Sequence, residues 1–590
     1  MAKDLGEFLL ALDGSSLPDR RLIGGKAWSI ARMQSLGLAV PPAFVITAKA
    51  CTAYLETGAV PARLAAELES GITWLEAASG STFGAGPRPL LVSVRSGAAI
   101  SMPGMMDTVL NLGINDQTEA ALAALSGDAA FARDTHRRFL ELYGRIVLKG
   151  VLPELPPQGT VAQWREEIRA ATGEAVPDAV RAQLMAAVQA VFESWNSRRA
   201  RKYRQHHGIP DSLGTAVTVQ AMVFGNLDDA SGTGVLFSRN PLTGDPAPYG
   251  EYLARAQGED VVSGRYTPQP LSALQAALPA VHAELLQAAE VLERENGDVQ
   301  DIEFTVQQGK LYLLQSRGAK RAPPAAVRFA VDMVAEGRID EVTALTRVSA
   351  EQVRAVLSPR LAADIDTASL LACGEAACQG VGVGVVVENT DEAERRALAG
   401  EAIVLARATT SPDDVHGMIA CRAVITEQGG ATSHAAVVSR ALGVPCVVGC
   451  GDGTVTALAG QTVTVDGASG RVYAGALAVT VPDEAADPSL ATLTRWAEAV
   501  APLRVSADAG TSDGPVLDLN TVDGGEDIER LPALLPGHTT VRGGAIASDA
   551  GVRAALAAGV KHLIASPRLP VLLAACEAAR ETRTPSSNHE

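Results

Sequence analysis

The sequence predicts a multidomain chain, α+β over its first 320 residues and α/β beyond them. Three observations carry that prediction. The 590 residues, at roughly 150 per domain, allow about three to five domains, each able to bury a core. Residues 1–320 mix Gly-rich loops, short β-rich runs and Arg-rich helical segments, a pattern of helices gathered around antiparallel strands. From 371 to 478 short Val/Ile strands and Gly turns surround one strong helix, which reads as a compact α/β domain.

In chain order, Gly24-Gly25-Lys26 opens a helix, AWSIARMQSLG, that stops before PPAFVIT. A helical insert occupies about 115–205, with apolar residues at helical spacing over 134–150 and 180–195. Between Gly214 and Asn240 the runs TAVTVQAMVF and TGVLFS alternate with turn residues and read as strands. DIEFTV and KLYLLQ, separated by Gln307, Gln308 and Gly309, read as a hairpin. Residues 321–370 are helical, either a packing segment or a connector that lets the next domain move. VPDEAADPS at 481–489 marks a boundary. After it, LRVSADA, PVLDLN, HTTV and KHLIAS alternate with Ala-rich helical pieces in a short α/β tail, 479–590 including the linker. TPSSNHE is expected to fray.

Composition narrows the function. A chain 47% hydrophobic and 20% charged is neither disordered nor fibrous. The net charge of -17 argues against nucleic acid or an anionic membrane as partner, since both need a basic face. The start lacks a signal-peptide pattern, and no run reaches about 18 uninterrupted apolar residues, so neither secretion nor a membrane span is expected. Seven scattered cysteines without a CxxC pair read as reduced thiols of a cytoplasmic protein. Cys576, in an apolar helical setting, reads as packing.

The most informative segment is TEQGGATSHAAVVSRALGVPCVVGCG, 426–451. A strand, AVIT, runs into Gly429-Gly430, and Thr432-Ser433 precede an apolar helix carrying His434. The glycines permit a tight turn, and Ser433 or Thr432 can cap the helix with His434 in its first turn. The positive helix end and its exposed amides favour an arriving phosphate and disfavour imidazolium. A neutral, nucleophilic ring near pH 7 is the expectation. A donor of that phosphoryl group needs cations and amides for a triphosphate and oxygen ligands for a magnesium ion. Only eight of the 50 basic residues are lysine, which makes Lys26 beside two glycines informative. Arg95 in SVRSGAAISMPGMM follows a strand, and SGTGVLFSRNPLTG supplies a further loop. Glu303 and Gln315 lie on the two strands of the hairpin, close enough for both oxygens to meet one metal. Gln315 and Arg317, two apart, share a face.

GGATSHAAVVSRALGVPCVVG, with the flanking SPDDVHGM and VDGASGRVY, resembles the phosphohistidine domain of the pyruvate, phosphate dikinase family of PEP-utilising enzymes, over about 371–478. Ala431 stands where that family usually has Met. WNSRRARKYR, GTAVTVQAMVFGN, AQGEDVVSG and QDIEFTVQQGKLYLLQSR extend the likeness over nearly all of 1–320, to the family's ATP-grasp nucleotide domain. The resemblance implies His434 as the phosphoryl carrier. It further implies Lys26, Arg95 and Arg317 at the phosphates, Glu303 and Gln315 toward Mg²⁺, and Gln220 and Met222 along the adenine. It implies ATP and inorganic phosphate as substrates, AMP and diphosphate as products, and a swivelling histidine domain with hinges near 321–370 and 479–490. The family's third module, a barrel of about 250 residues acting on pyruvate or phosphoenolpyruvate, has no counterpart in the 102 residues from Ser489. The final pair is therefore expected only with a separate barrel protein. Phosphotransfer to another small molecule, or regulation of a full-length dikinase by a non-catalytic paralogue, are the alternatives. Thr432 corresponds to a position modified in some relatives.

Overall fold

The computed structural model describes residues 4–100, 102, 106–206, 208–258, 260, 268–362, 368–411, 414–430, 433, 435–436, 438–439, 444–508 and 514–583. Its residues divide into two compact units, Met1–Pro241 with Asp245–Lys320, and Leu242–Gly244 with Arg321–Glu590.

Two five-stranded antiparallel sheets organise the first unit. One runs in the order Leu9–Leu12, Ala43–Ile46, Ala216–Ala221, Val92–Gly97, Thr108–Leu112. The other runs Gln269–Pro270, Tyr249–Ala254, Gly232–Phe237, Gln300–Gln307, Lys310–Gly318. The α+β reading of this region is therefore the observed architecture. Helices between Asp116 and His206 fill the insert, and their apolar stripes pack Phe139, Trp164 and Phe192 against the first sheet in one core. The helix Ala129–Ile146 starts where Asp128 caps the N–H groups of Ala130 and Phe131. The predicted hairpin forms with a two-residue turn. Gln308 and Gly309 both have positive φ, 53° and 73°, the conformation a tight hairpin with right-handed strand twist requires.

In the second unit, eight strands from Leu370–Cys373 to Arg471–Ala474 form one sheet. Its centre, Val381–Val387, Ile403–Arg407, Ala423–Thr426 and Cys446–Val448, is parallel. Both faces are buried: Val404 and Ala406 enter one core, Ile403 and Leu405 the other. Burial on both faces is why these strands read as continuous Val/Ile runs without alternation.

The remainder of this unit shows what the helices of 321–370 pack against. Helices Pro323–Ala335, Glu341–Thr346 and Ala350–Leu357 share a single core with Leu490, Trp496, Val541, Leu563 and Leu572 of the tail. They pack. The tail strands Arg504–Ser506, Val516–Asp518, Thr540–Arg542 and His562–Ile564 form a parallel sheet in which the first lies beside the last. Cys576 is buried, with its Sγ 3.9 Å from the Ala497 carbonyl, as its setting predicted. The chain passes between this module and the eight-stranded sheet through one short antiparallel ribbon, Arg360 opposite Thr480 and Leu361 opposite Val479. Among the described residues no helix is long and apolar enough to cross a membrane.

Candidate functional site

The helix Arg20–Ser35 begins at Asp19, whose carboxylate accepts from the Arg21 N–H at 2.8 Å. Gly24 then breaks it, with φ 76° and ψ 165°. A Cβ there would lie 1.8 Å from the Gly97 carbonyl oxygen, so only glycine lets the helix press onto the end of the strand Val92–Gly97. The Gly25 N–H donates to the Ala98 carbonyl at 3.0 Å. One turn after Lys26, Ser29 donates to the Ser316 carbonyl at 2.7 Å and accepts from the Ser316 N–H at 3.0 Å. Lys26 is thereby fixed between the Arg95 strand and the Gln315–Arg317 strand.

Five residues named from the sequence meet here. Lys26, Arg95, Glu303, Gln315 and Arg317 line one cavity of about 360 Å³. Glu303 and Gln315 are direct cross-strand partners, so two side-chain oxygens face one point. Arg95 Nη2 lies 3.4 Å from Glu303 Oε2. The Arg317 guanidinium is held by Asp301 Oδ2 at 2.8 Å, across the same ladder. Burial, then the Arg95 guanidinium, pulls the Lys26 ammonium down to about 7; Arg317 adds to the fall and Glu303 opposes it. Three cations facing one cavity form a site for a polyanion.

Gln220 and Met222 border a second cavity of about 450 Å³, which shares Arg95, Glu303 and Arg317 with the first. Its other walls include Leu110, Val235 and Phe304. It is an apolar chamber opening beside a cationic one. The Gln220 side-chain amide is engaged elsewhere, donating to the Pro41 carbonyl at 3.2 Å. What Gln220 offers the cavity is its place on the strand.

Sequence reasoning missed Arg20, which also lines the first cavity, and Asp301, which orients Arg317. A helical period gives no warning of Arg20, because the break at Gly24 resets the face between Arg20 and Lys26. Asp301 carries the signal in hindsight: it is two residues before Glu303 and on the same strand.

In the second unit, Gly429-Gly430 leave the carboxyl end of the strand Ala423–Thr426, the edge of a parallel sheet where ligands bind. Gly429 has φ 112°, and a Cβ on it would meet Ser433 Cβ at 2.9 Å. The Ser433 N–H donates to the Gly430 carbonyl at 2.9 Å, and the Ala436 N–H reaches Ser433 Oγ at 3.4 Å. Of the two capping residues the sequence offered, Ser433 makes that bond. His434 and Thr432 lie outside the described residues.

The chain matches the family model for the pyruvate phosphate dikinase AMP/ATP-binding domain over residues 20–79 and 58–285. It matches that for the PEP-utilising enzyme mobile domain over 399–470. It is 40% identical over 559 residues to a pyruvate, phosphate dikinase of Rhizobium meliloti (strain 1021), covering 87% of this chain and 62% of that protein. It is 43% identical over 532 residues to pyruvate, phosphate dikinase 1, chloroplastic, of Zea mays, covering 84% of this chain and 56% of the relative. A Clostridium symbiosum pyruvate, phosphate dikinase is 39% identical over 533 residues, with 84% of this chain and 60% of the relative covered. This chain thus spans about three fifths of the length of these relatives.

Proposed function

We propose, from the premise that this chain belongs to the pyruvate, phosphate dikinase family, that it transfers a phosphoryl group from ATP to His434. The half-reaction takes ATP and inorganic phosphate to AMP and diphosphate. One observation carries the reading: Lys26, Arg95 and Arg317 converge with Glu303 and Gln315 on a single cavity that opens beside an apolar one. The triphosphate takes the cationic chamber, and the base takes the chamber along Gln220–Met222. This is an ATP-grasp arrangement, with the nucleotide held between the two antiparallel sheets of the first unit.

Arg95 and Arg317 are pre-oriented by Glu303 and Asp301, so they offer phosphate oxygens a fixed fork at little ordering cost. Lys26, sharing its charge with two arginines, gains most when an anion arrives. The oxygen pair of Glu303 and Gln315 suits Mg²⁺, which is held by one or two carboxylates and completes its shell from phosphates and water. Bound there, the ion would neutralise charge building on the transferred group.

The acceptor is a neutral imidazole in a loop whose amides and capped helix start favour phosphate. His434 attacks the β-phosphorus and the bond to the α-phosphate oxygen breaks, so AMP leaves; inorganic phosphate then takes the terminal phosphoryl group as diphosphate, and the β-phosphoryl group stays on the histidine. The carrier is the eight-stranded domain, turning on the ribbon formed by Arg360–Leu361 and Val479–Thr480. Pyruvate and phosphoenolpyruvate form the final pair where a barrel of the family's type is supplied separately. The test is incubation of the full chain with ATP radiolabelled in its β-phosphate, phosphate and Mg²⁺. Acid-labile label on the wild type and none on His434→Ala is expected; an unlabelled wild type, or equal label on both, overturns the reading.

A further inference from the structure

Resting on the phosphohistidine reading, the geometry points to Glu427 as a positioning residue that fixes the base of the histidine loop and thereby sets how fast His434 is phosphorylated. Glu427 directly follows Thr426, the last residue of the strand that delivers the loop. Its backbone is tied on both sides. The N–H donates to the Arg407 carbonyl at 3.1 Å, and the carbonyl accepts from the Gly451 N–H at 2.9 Å. Its carboxylate reaches into the neighbouring loop. There it accepts from the Thr456 hydroxyl at 2.6 Å and the Thr456 N–H at 3.1 Å. The N–H groups of Gly453 and Val455 bond to it as well.

These are all neutral donors, and Glu427 as a whole is 7% exposed. A carboxylate has about four lone-pair sites and nothing to donate, which suits a cluster made only of N–H and O–H groups. Held so, first by the Thr456 hydroxyl and then by the Gly453 amide, its carboxyl stays below the usual carboxylate range.

The surrounding contacts show what the clamp secures. The Cys450 N–H donates to the Thr426 carbonyl at 3.0 Å, and Gln428 Nε2 donates to Asp452 Oδ1 at 2.9 Å. A Cβ on Gly449 would lie 2.7 Å from the Gly429 carbonyl oxygen, so at that point the two loops meet backbone to backbone. Glu427 is the side chain that bonds the histidine loop's first residue to the far side of the second loop, at the short helical turn Thr456–Leu458. It acts through the loop.

Glu427→Gln removes one acceptor oxygen and aims an NH₂ group at N–H donors. Thr456→Val removes the hydroxyl at equal size, and Thr456→Ser restores it. With wild-type chain taking β-phosphate label from ATP, Glu427→Gln is expected to label roughly 10- to 100-fold more slowly. Thr456→Val should be slowed less, and Thr456→Ser should label near the wild-type rate. The concentration of ATP giving half-maximal rate should not move, because none of these residues belongs to the nucleotide cavity. Labelling of Glu427→Gln and Thr456→Val at the wild-type rate, even with a lowered melting temperature, overturns the assignment. So does a rate loss accompanied by an equal loss of ATP affinity. A wild type that takes no label is a different failure, that of the phosphohistidine reading itself.

Discussion

Around the nucleotide cavity, five side chains arrive from a helix and three strands spread between residues 26 and 317. Around the histidine loop, the links run between backbones and short side chains within residues 407–456. The first region concentrates like charge and leaves it waiting for an anion. The second holds its shape with glycine contacts and neutral donors, next to the proposed phosphoryl carrier. The difference teaches a division of labour: the cavity supplies charge that changes state when ligand enters, and the loop supplies geometry that should stay the same throughout.

Substituting glycine in each region is the harshest way to break that comparison. Gly24→Ala places a Cβ against the Gly97 carbonyl and forces alanine to φ 76°. A loss on the order of 2–4 kcal/mol is expected, with ATP binding lost as the helix backs away from the Arg95 strand. Gly429→Ala also demands positive φ, but its Cβ meets the Ser433 side chain, so about 1–2 kcal/mol is expected. Denaturant unfolding and nucleotide titration of both variants check this. Nucleotide affinity should fall only for Gly24→Ala, and normal affinity there would mean that the helix does not need Gly24 to hold Lys26.

A milder intervention removes charge and leaves the backbone alone. Lys26→Met should weaken ATP binding about 10- to 100-fold, the worth of one well-placed cation on phosphate. The same change should raise the melting temperature of the nucleotide-free protein near pH 6, because the charged amine is held there against burial and two guanidinium groups. A lowered melting temperature would show that the lysine is structural.

These regions also differ in how much of them the sequence displayed. The histidine loop was legible because its signals are local: two glycines, a capping residue and an apolar helix occupy ten residues. The hairpin that brings Glu303 near Gln315 was legible too, but not their register: the two-residue turn alone would set Glu303 opposite Leu314, and a bulge between Glu303 and Phe304 moves it to Gln315. Convergence of Lys26 and Arg95 with that hairpin was not legible either, because it depends on a kink at Gly24 and on Ser29 gripping Ser316, contacts that join residues almost 300 positions apart. Only the family resemblance tied those segments together. The role of 321–370 was equally hidden: an amphipathic helix advertises a buried face and says nothing of which module buries it.

The finest discrimination between the regions is a proton count. Lys26 titrates near 7 in the free protein, down from its ordinary 10.5. Between those values the unfolded chain holds a proton that the folded chain has released, so this group makes the free protein more stable as pH rises from about 7 to 10.5. A triphosphate beside the amine restores its charge and moves its titration back up. At pH 8, binding should therefore take up a proton fraction approaching one, and at pH 6, where the amine is already charged, the uptake should shrink toward zero. Calorimetric titration with ATP in buffers of different ionisation enthalpy reads that number directly. Lys26→Met should abolish the difference between pH 8 and pH 6, whereas Glu427→Gln, in the region that holds shape instead of charge, should leave it intact. If Glu427→Gln altered the proton count, the two regions would be electrostatically coupled and the division between them would fail.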